Sequence, residues 1–273
     1  MAKLALLGVS ATHDGSVFLY RAGRTYAGSS PFPPHHHDEL ELNLVRRGQA
    51  AYLVKEGRIE LPAGTLIWLR PGGSHRLVDV SADYQAWTLN FRRRLVQRVC
   101  TSAMLAPLRR RRGANLWRRL SRAQTRRLDG LFGQTAHAPD VAVYNAALAH
   151  ALAQSFVEFE LQTDGPQATA VHPAVHRAVE LLANTEETLD LSQLATRCGL
   201  SAPHLSRLFK QQVGVALTEF RNRRRVERTL VLLANPETTL TDAAYAAGFG
   251  SYVQFHRVFK RQMGYAPSDY RRS

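Results

Sequence analysis

The sequence LSQLATRCGLSAPHLSRLFKQQVG at residues 191–214 returns, with changes, as LTDAAYAAGFGSYVQFHRVFKRQMG at residues 240–264. With one residue inserted beyond Gly248, Ala195 aligns with Ala244 and Arg207 aligns with Arg257. Two copies of one pattern indicate a supersecondary unit that is used twice. The last third of the chain is therefore predicted to hold two similar folded units.

Each copy predicts a short helix, a tight turn and a longer helix. In the first copy the leucines from Leu191 onward have helical spacing, and Gly199 interrupts them. Ser201 is suited to the N-cap of a second helix, which Gly214 ends. Two helices joined by a short glycine-containing turn form a helix-turn-helix unit, whose second helix enters the major groove of DNA.

The apolar stripes of the two longer helices leave one face of each helix for solvent or a partner. These faces carry side chains suited to base edges and phosphates: Pro203, Ser206, Arg207 and Lys210 in the first copy, and Tyr252, Gln254, His256, Arg257 and Lys260 in the second. A basic helix face is often only solvated. Both copies have an arginine and a lysine at equivalent helix positions, which favours DNA contact instead.

The segment AAYAAGFGSYVQFHRVFKRQMGYAPSDYRR at residues 243–272 closely resembles the DNA-binding domain of the AraC/XylS family of bacterial transcription regulators. Leu230 and Gly250 depart from the residues common in that family. The resemblance implies a connecting helix over 217–233 between the two units. It also implies double-stranded promoter DNA and RNA polymerase as partners, and a cytoplasmic protein that associates with the bacterial nucleoid when bound.

Composition agrees with a nucleic-acid partner. The 273 residues include 36 Lys and Arg against 22 Asp and Glu, a net charge of +14, which suggests a polyanionic ligand. Cys100 and Cys198 form no disulfide or zinc pattern, which favours a reducing cytoplasm. The apolar run near the start is too short for a signal peptide, and no apolar run is long enough to span a membrane.

The first third of the chain has the pattern of short β-strands. Alternating apolar runs at 17–20, 40–45, 51–54, 65–69 and 86–91 are separated by glycine, proline and charged residues. This spacing predicts a jelly roll or barrel. The predicted fold is a two-domain α+β protein: an N-terminal β jelly-roll, cupin-like barrel with following helices, and a C-terminal all-α domain with two helix-turn-helix units.

The first third also resembles a cupin. His35, His37 and Glu41, followed by Gly48, match the first cupin motif, whereas the segment ending at His75 is one residue short of the second and lacks its asparagine. The resemblance implies either a divalent metal held by His35, His37, Glu41 and His75, or a scaffold without metal that needs no cofactor and binds a small-molecule effector. The candidate pocket residues are His35, His37, Glu41, Asn43, Arg46, Trp68, His75 and Trp87.

An uneven charge distribution marks the middle of the chain. Residues 92–128 contain thirteen arginines and no acid, and residues 129–171 contain five acids and no Lys or Arg. Three interpretations stay open for this arginine segment: a solvated face, contact with DNA phosphates, or pairing with the acidic stretch.

Residues 141–161 predict an apolar helix, which either packs against the barrel or joins two subunits of a homodimer. Residues 163–171 then predict a flexible linker. The predicted domains are a sensor at 1–91, a connector with the helix at 92–162, the linker at 163–171 and the DNA-binding domain at 172–273.

We therefore predict a sequence-specific transcription regulator, controlled by a small molecule in its barrel and without catalytic residues. A metal-dependent cupin enzyme fused to a DNA-binding domain is the alternative. A protein that coats nucleic acid through its arginine segment is a third interpretation. The repeated recognition helices favour the first.

Overall fold

The computed structural model describes residues 12–22, 39–54, 57–71, 75–109, 116–162, 165, 168–183 and 189–270. The described chain divides into two compact units. The N-terminal unit comprises the described residues up to His75 and residues 83–168. The C-terminal unit comprises residues 76–82 together with those from Thr169 onward.

The strands form two sheets. Their bounds are β1 Gly15–Arg21, β2 Leu40–Arg47, β3 Gln49–Val54, β4 Gly57–Pro62, β5 Thr65–Leu69, β6 His75–Val80, β7 Gln85–Phe91 and β8 Trp117–Arg119. One sheet has the order β1-β7-β2-β5-β8, and the other has the order β4-β3-β6.

All five strand predictions are confirmed. β4, β6 and β8 were not predicted, and β8 lies within the arginine segment, where residues Thr65 to Ile67 of β5 pair with it. A three-residue strand has too few positions for an alternating pattern, so its partner decides its structure. Within the described residues the two sheets do not close into a barrel, so the α+β class is confirmed with open, cupin-like sheets.

Four helices complete the N-terminal unit: α1 Arg93–Val99, α2 Ser102–Arg109, α3 Arg122–Ala136 and α4 Val141–Glu160. A capping box at Ser121 starts α3, and Asp140 caps α4. The predicted apolar helix is thus confirmed as α4. Its buried face contacts α1, α3 and β1.

Part of the arginine segment pairs with acids inside this unit. Arg94 and Arg98 each donate to the buried carboxylate of Asp14, at 2.7 and 2.6 Å. Arg127 donates to both carboxylate oxygens of Glu158, at 2.9 and 3.0 Å. Burial acts to raise the pKa of both acids, but the arginine hydrogen bonds outweigh it, so each pKa is lowered.

The C-terminal unit is helical after Thr169. Its helices are α5 Pro173–Ala183, α6 Leu191–Arg197, α7 Ala202–Val213, α8 Leu217–Leu232, α9 Leu240–Ala246, α10 Tyr252–Met263 and α11 Pro267–Tyr270. The predicted connecting helix is α8. It contacts α7 on one side of the repeat and α9 and α10 on the other.

Each repeat has its own apolar core. In the first, Phe209 lies against Phe220 of α8 with ring centroids 5.2 Å apart. In the second, Phe255 and Phe259 are fully buried together with Val226 of α8. α8 therefore completes both cores and holds the two units together. Among the described residues, no helix is both long and apolar enough to cross a bilayer.

Candidate nucleic-acid interface and ligand-binding face

The two helix-turn-helix units have the same backbone turn. Gly199 and Gly248 follow α6 and α9 at φ 69° and 90°. The next residue in each turn donates its N–H back to the last helical turn, from Leu200 to Ala195 at 3.0 Å and from Phe249 to Ala244 at 3.1 Å. Glycine adopts this left-handed conformation at little cost, which explains the repeated glycine in the sequence.

The longer helices α7 and α10 present matching basic residues. Arg207 and Lys210 are exposed on α7, and Arg257 and Lys260 are exposed at the same steps of α10. Pro203 is exposed, whereas Ser206 and His256 are half-exposed. The geometry supports contact of these two faces with DNA.

Two of the predicted contact residues take part in the structure of α10 itself. The ring of Tyr252 packs edge-on against Phe255, with centroids 5.5 Å apart. The side-chain oxygen of Gln254 accepts a hydrogen bond from the backbone N–H of Gly250 at 3.1 Å. The backbone N–H of Gln254 donates to the Ser251 hydroxyl. Gln254 therefore closes the start of α10, and its contact with DNA stays a prediction.

Two exposed side chains at the start of the recognition helices were missed. Val253 is 77% exposed in α10, and His204 is exposed in α7. The alignment of the copies contained the signal, because Pro203 aligns with Val253 and His204 aligns with Gln254. Only one residue of each aligned pair, Pro203 and Gln254, was predicted to contact DNA.

The five-stranded sheet has one apolar face and one face on which buried polar side chains lie among apolar ones. Residues paired across antiparallel strands point to the same side. Leu42 pairs with Trp68 and Leu89, on the side that faces the helices. Asn43 pairs with Thr88 on the opposite side.

Buried polar side chains are joined by hydrogen bonds on that opposite side. Asn43 donates to Glu41 at 2.9 Å and to the hydroxyl of Tyr52 at 3.3 Å, and accepts from Thr88 at 2.6 Å. Asn90 donates to Ser16 at 3.0 Å. Its side-chain oxygen is buried without a hydrogen-bond partner. We call these residues, together with Tyr84, the polar face.

The tyrosines of the polar face stay neutral. Burial raises the pKa of Tyr52 and of Tyr84 well above the usual tyrosine value, and the nearby Glu41 charge acts in the same direction. The two hydroxyls hydrogen-bond each other, and both remain protonated at physiological pH. Such convergent polar groups in an apolar surround suit a small polar ligand.

The structure places the other predicted pocket residues elsewhere. Trp68 stacks on Phe156 of α4 at 4.3 Å, and Trp87 donates to Asp129 of α3 at 2.7 Å. Both tryptophans lie on the helix side because their strand positions alternate with those of the polar face. Arg46 is exposed and pairs with Asp129 at 2.9 Å.

Of the four predicted metal ligands, the structure describes only Glu41 and His75. His35 and His37 lie outside the described residues. Glu41 belongs to the polar face, and His75 is half-exposed at the first residue of β6. Over the described ranges, no group of three or more histidine, cysteine or acidic side chains could hold a metal ion.

A buried charged cluster lies in the C-terminal unit. Glu227 of α8 pairs with Arg224 one turn earlier, and both side chains are largely buried. Burial raises the pKa of the Glu227 carboxyl to about 7, although the charges of Arg224, Arg76 and Arg223 act against it. Burial also lowers the pKa of Arg76 to about 9.

Comparisons with known proteins agree with this architecture. A family described as AraC-like ligand binding domain matches residues 16–199, more than half of the chain, and a helix-turn-helix domain matches residues 194–273. The chain is 24% identical over 253 residues to the HTH-type transcriptional activator RhaS of Yersinia pestis, covering 90% of this chain and 91% of the relative.

Two further matches cover different parts of the chain. An uncharacterised HTH-type transcriptional regulator of Staphylococcus aureus is 38% identical over 85 residues, covering 31% of this chain and 11% of that protein. The structure of unsaturated fatty acid bound ToxT from Vibrio cholerae matches with a TM-score of 0.41 and 16% identity over 94% of each chain.

The family matches identify a regulator rather than an enzyme, and the metal-dependent enzyme alternative gains no support. The chain belongs to the AraC-like family of transcription regulators, in which a ligand-binding domain is joined to a DNA-binding helix-turn-helix domain.

Proposed function

We propose that this regulator binds a two-element promoter site through α7 and α10 under the control of a small molecule bound at the polar face. The observation that carries the proposal is the exposed arginine and lysine at equal steps of both helices. The RhaS relatives are named activators. We include activation, through contact with RNA polymerase, in the proposal.

Selection from a random duplex pool with the full chain at near-physiological salt tests DNA recognition. We expect a site with two short elements separated by about one helical turn. Transcription from a promoter with that site should rise on addition of the regulator. Recovery of no motif, with binding that disappears as salt rises, would support coating through the arginine segment instead.

The polar face supports binding of a neutral, hydroxyl-rich ligand. Tyr52→Phe removes a single hydroxyl, which accepts from Asn43 and hydrogen-bonds Tyr84. We expect it to weaken ligand binding by about 1 kcal/mol or more, the value of a buried hydrogen bond. Thermal shift of the full chain against a panel of sugars and polyols measures the effect.

Tyr144→Phe is the matched control for this variant, because Tyr144 lies on α4 and its hydroxyl approaches the Gly15 carbonyl instead. Equal loss of ligand response in the two variants would contradict a site at the polar face. A response confined to sugars with several hydroxyls would define the effector class.

The second face of α4 supports homodimerisation. Val143 and Val157 of α4 and its C-cap Leu161 are 47, 50 and 65% exposed, although one face of α4 is already packed. An apolar surface of this kind on one helix is typical of an interface. We propose that the α4 helices of two subunits meet along it.

Val157→Glu is expected to weaken the dimer at least tenfold, because a carboxylate would be buried without a partner. Analytical ultracentrifugation of the full chain measures the dissociation constant. Val231→Glu is the matched control, since Val231 is 47% exposed on α8. Dissociation by the control alone would place the interface elsewhere.

A further inference from the structure

Val253 is an exposed apolar side chain on a recognition helix. It is the second residue of α10, after the N-cap Ser251 and Tyr252. At 77% it has the highest exposed fraction among the large hydrophobic residues that the structure describes as exposed. The free protein buries little of this valine, so its methyl groups are available to a partner.

The position of Val253 relates it to Arg257. The apolar stripe of α10 consists of buried residues that begin at Phe255, whereas Val253 and Arg257 are exposed and one helical turn apart. Four residues correspond to a rise of about 6 Å along the helix, close to two base-pair steps of about 3.4 Å each. The two side chains therefore reach base pairs at most about two steps apart.

The neighbours of Val253 are engaged within the protein. Tyr252 packs on Phe255, and the Gln254 oxygen accepts from Gly250. The first residues of a recognition helix contact base edges. An apolar side chain there has one complementary group in the major groove, the 5-methyl group of thymine.

We propose that Val253 recognises the 5-methyl group of a thymine within two base pairs of the base that Arg257 contacts. The proposal rests on DNA recognition by α10 and adds a specificity-determining residue to it. The valine methyl groups contact the thymine methyl and exclude water from it, so cytosine and uracil at that position lose the contact.

The experiment removes first the 5-methyl group of thymine from the DNA and then the two γ-methyl groups of Val253 from the protein. In the selected site, each thymine of the α10 element is replaced singly by deoxyuridine, which changes only the 5-methyl group. For the native chain, one such replacement should weaken binding about fourfold, the effect of one buried methyl-sized group. For Val253→Ala, which keeps only the β-carbon, the preference for thymine over deoxyuridine at that position should fall well below fourfold.

Val231→Ala serves as the control, since it shortens another exposed valine and should keep the fourfold discrimination. Unfolding of Val253→Ala should match that of the native chain, because the side chain is exposed. Full discrimination in Val253→Ala, or no deoxyuridine effect at any thymine, overturns the proposal.

The failure of this inference and that of DNA recognition are distinguishable. If a site is selected and Arg257→Ala weakens its binding, but no thymine methyl matters, only the role of Val253 is wrong. If no site is selected, both the two-element recognition and the role of Val253 are wrong.

Discussion

The free energy of unfolding of the C-terminal unit should fall by on the order of 3 kcal/mol as the pH is raised from about 5 to about 8. The cause is Glu227, whose pKa burial raises from 4.5 to about 7 in the folded chain. Between these two values the folded state binds more protons than the unfolded state. The stabilisation is therefore complete below about 4.5 and is lost as the pH rises through about 7.

Glu227→Gln should remove this fall, because the amide does not titrate. Hydrogen exchange of the α8 amides in the full chain, corrected for the intrinsic pH dependence of exchange, measures this change in the free energy of unfolding. Burial lowers the pKa of His176, against the charge of Glu180, so that histidine contributes with the opposite sign. His176 is present in both proteins, so comparing them isolates Glu227.

Glu219→Gln provides the matched control on the same helix. Glu219 is about one-third exposed and pairs with the largely buried Arg223 and with the exposed Arg261. This variant should keep the full pH dependence. An equal fall in Glu227→Gln and in the native chain would show that Glu227 is ionised throughout the range.

The double variant Arg207→Ala and Arg257→Ala should weaken binding to the selected site by about 2–6 kcal/mol. Each arginine contact with a guanine contributes roughly 1–3 kcal/mol, and effects at separate sites add. Because the two residues lie on different recognition helices, each single variant should relax specificity in only one element. Quantitative gel-shift titration and repeated site selection measure both effects.

Arg21→Ala is the charge-matched control for that prediction, since Arg21 is exposed at the end of β1 in the N-terminal unit. It removes one positive charge without touching a recognition helix, so it should leave binding to the selected site nearly unchanged. A loss equal to that of either recognition-helix variant would mean that net charge, rather than base contact, determines affinity.

The two helix-turn-helix units could be predicted from sequence because their signals are local. Helical spacing, the turn glycines Gly199 and Gly248, and the terminal glycines Gly214 and Gly264 all act within a few residues. The repetition of these signals removed the remaining ambiguity. The five predicted strands could be found for the same reason, since each contains a run of four to six mostly apolar residues.

The roles of individual side chains needed the tertiary structure. Sequence grouped Trp68 and Trp87 with Asn43 as pocket residues, but pairing of the strands places the tryptophans on the helix side and Asn43 on the polar face. Gln254 was predicted to contact DNA, and only the fold of the turn shows that its side-chain oxygen also accepts from Gly250.

The sequence by itself determined the helix-turn-helix repeat, the strand-rich first third and the class of regulator. Only the tertiary structure decided which side chains are buried, paired or exposed, as Glu227, Arg127 and Val253 show. The physical reason is range: helix and turn formation depends on neighbours along the chain, whereas burial and ion pairing depend on residues brought together from distant positions.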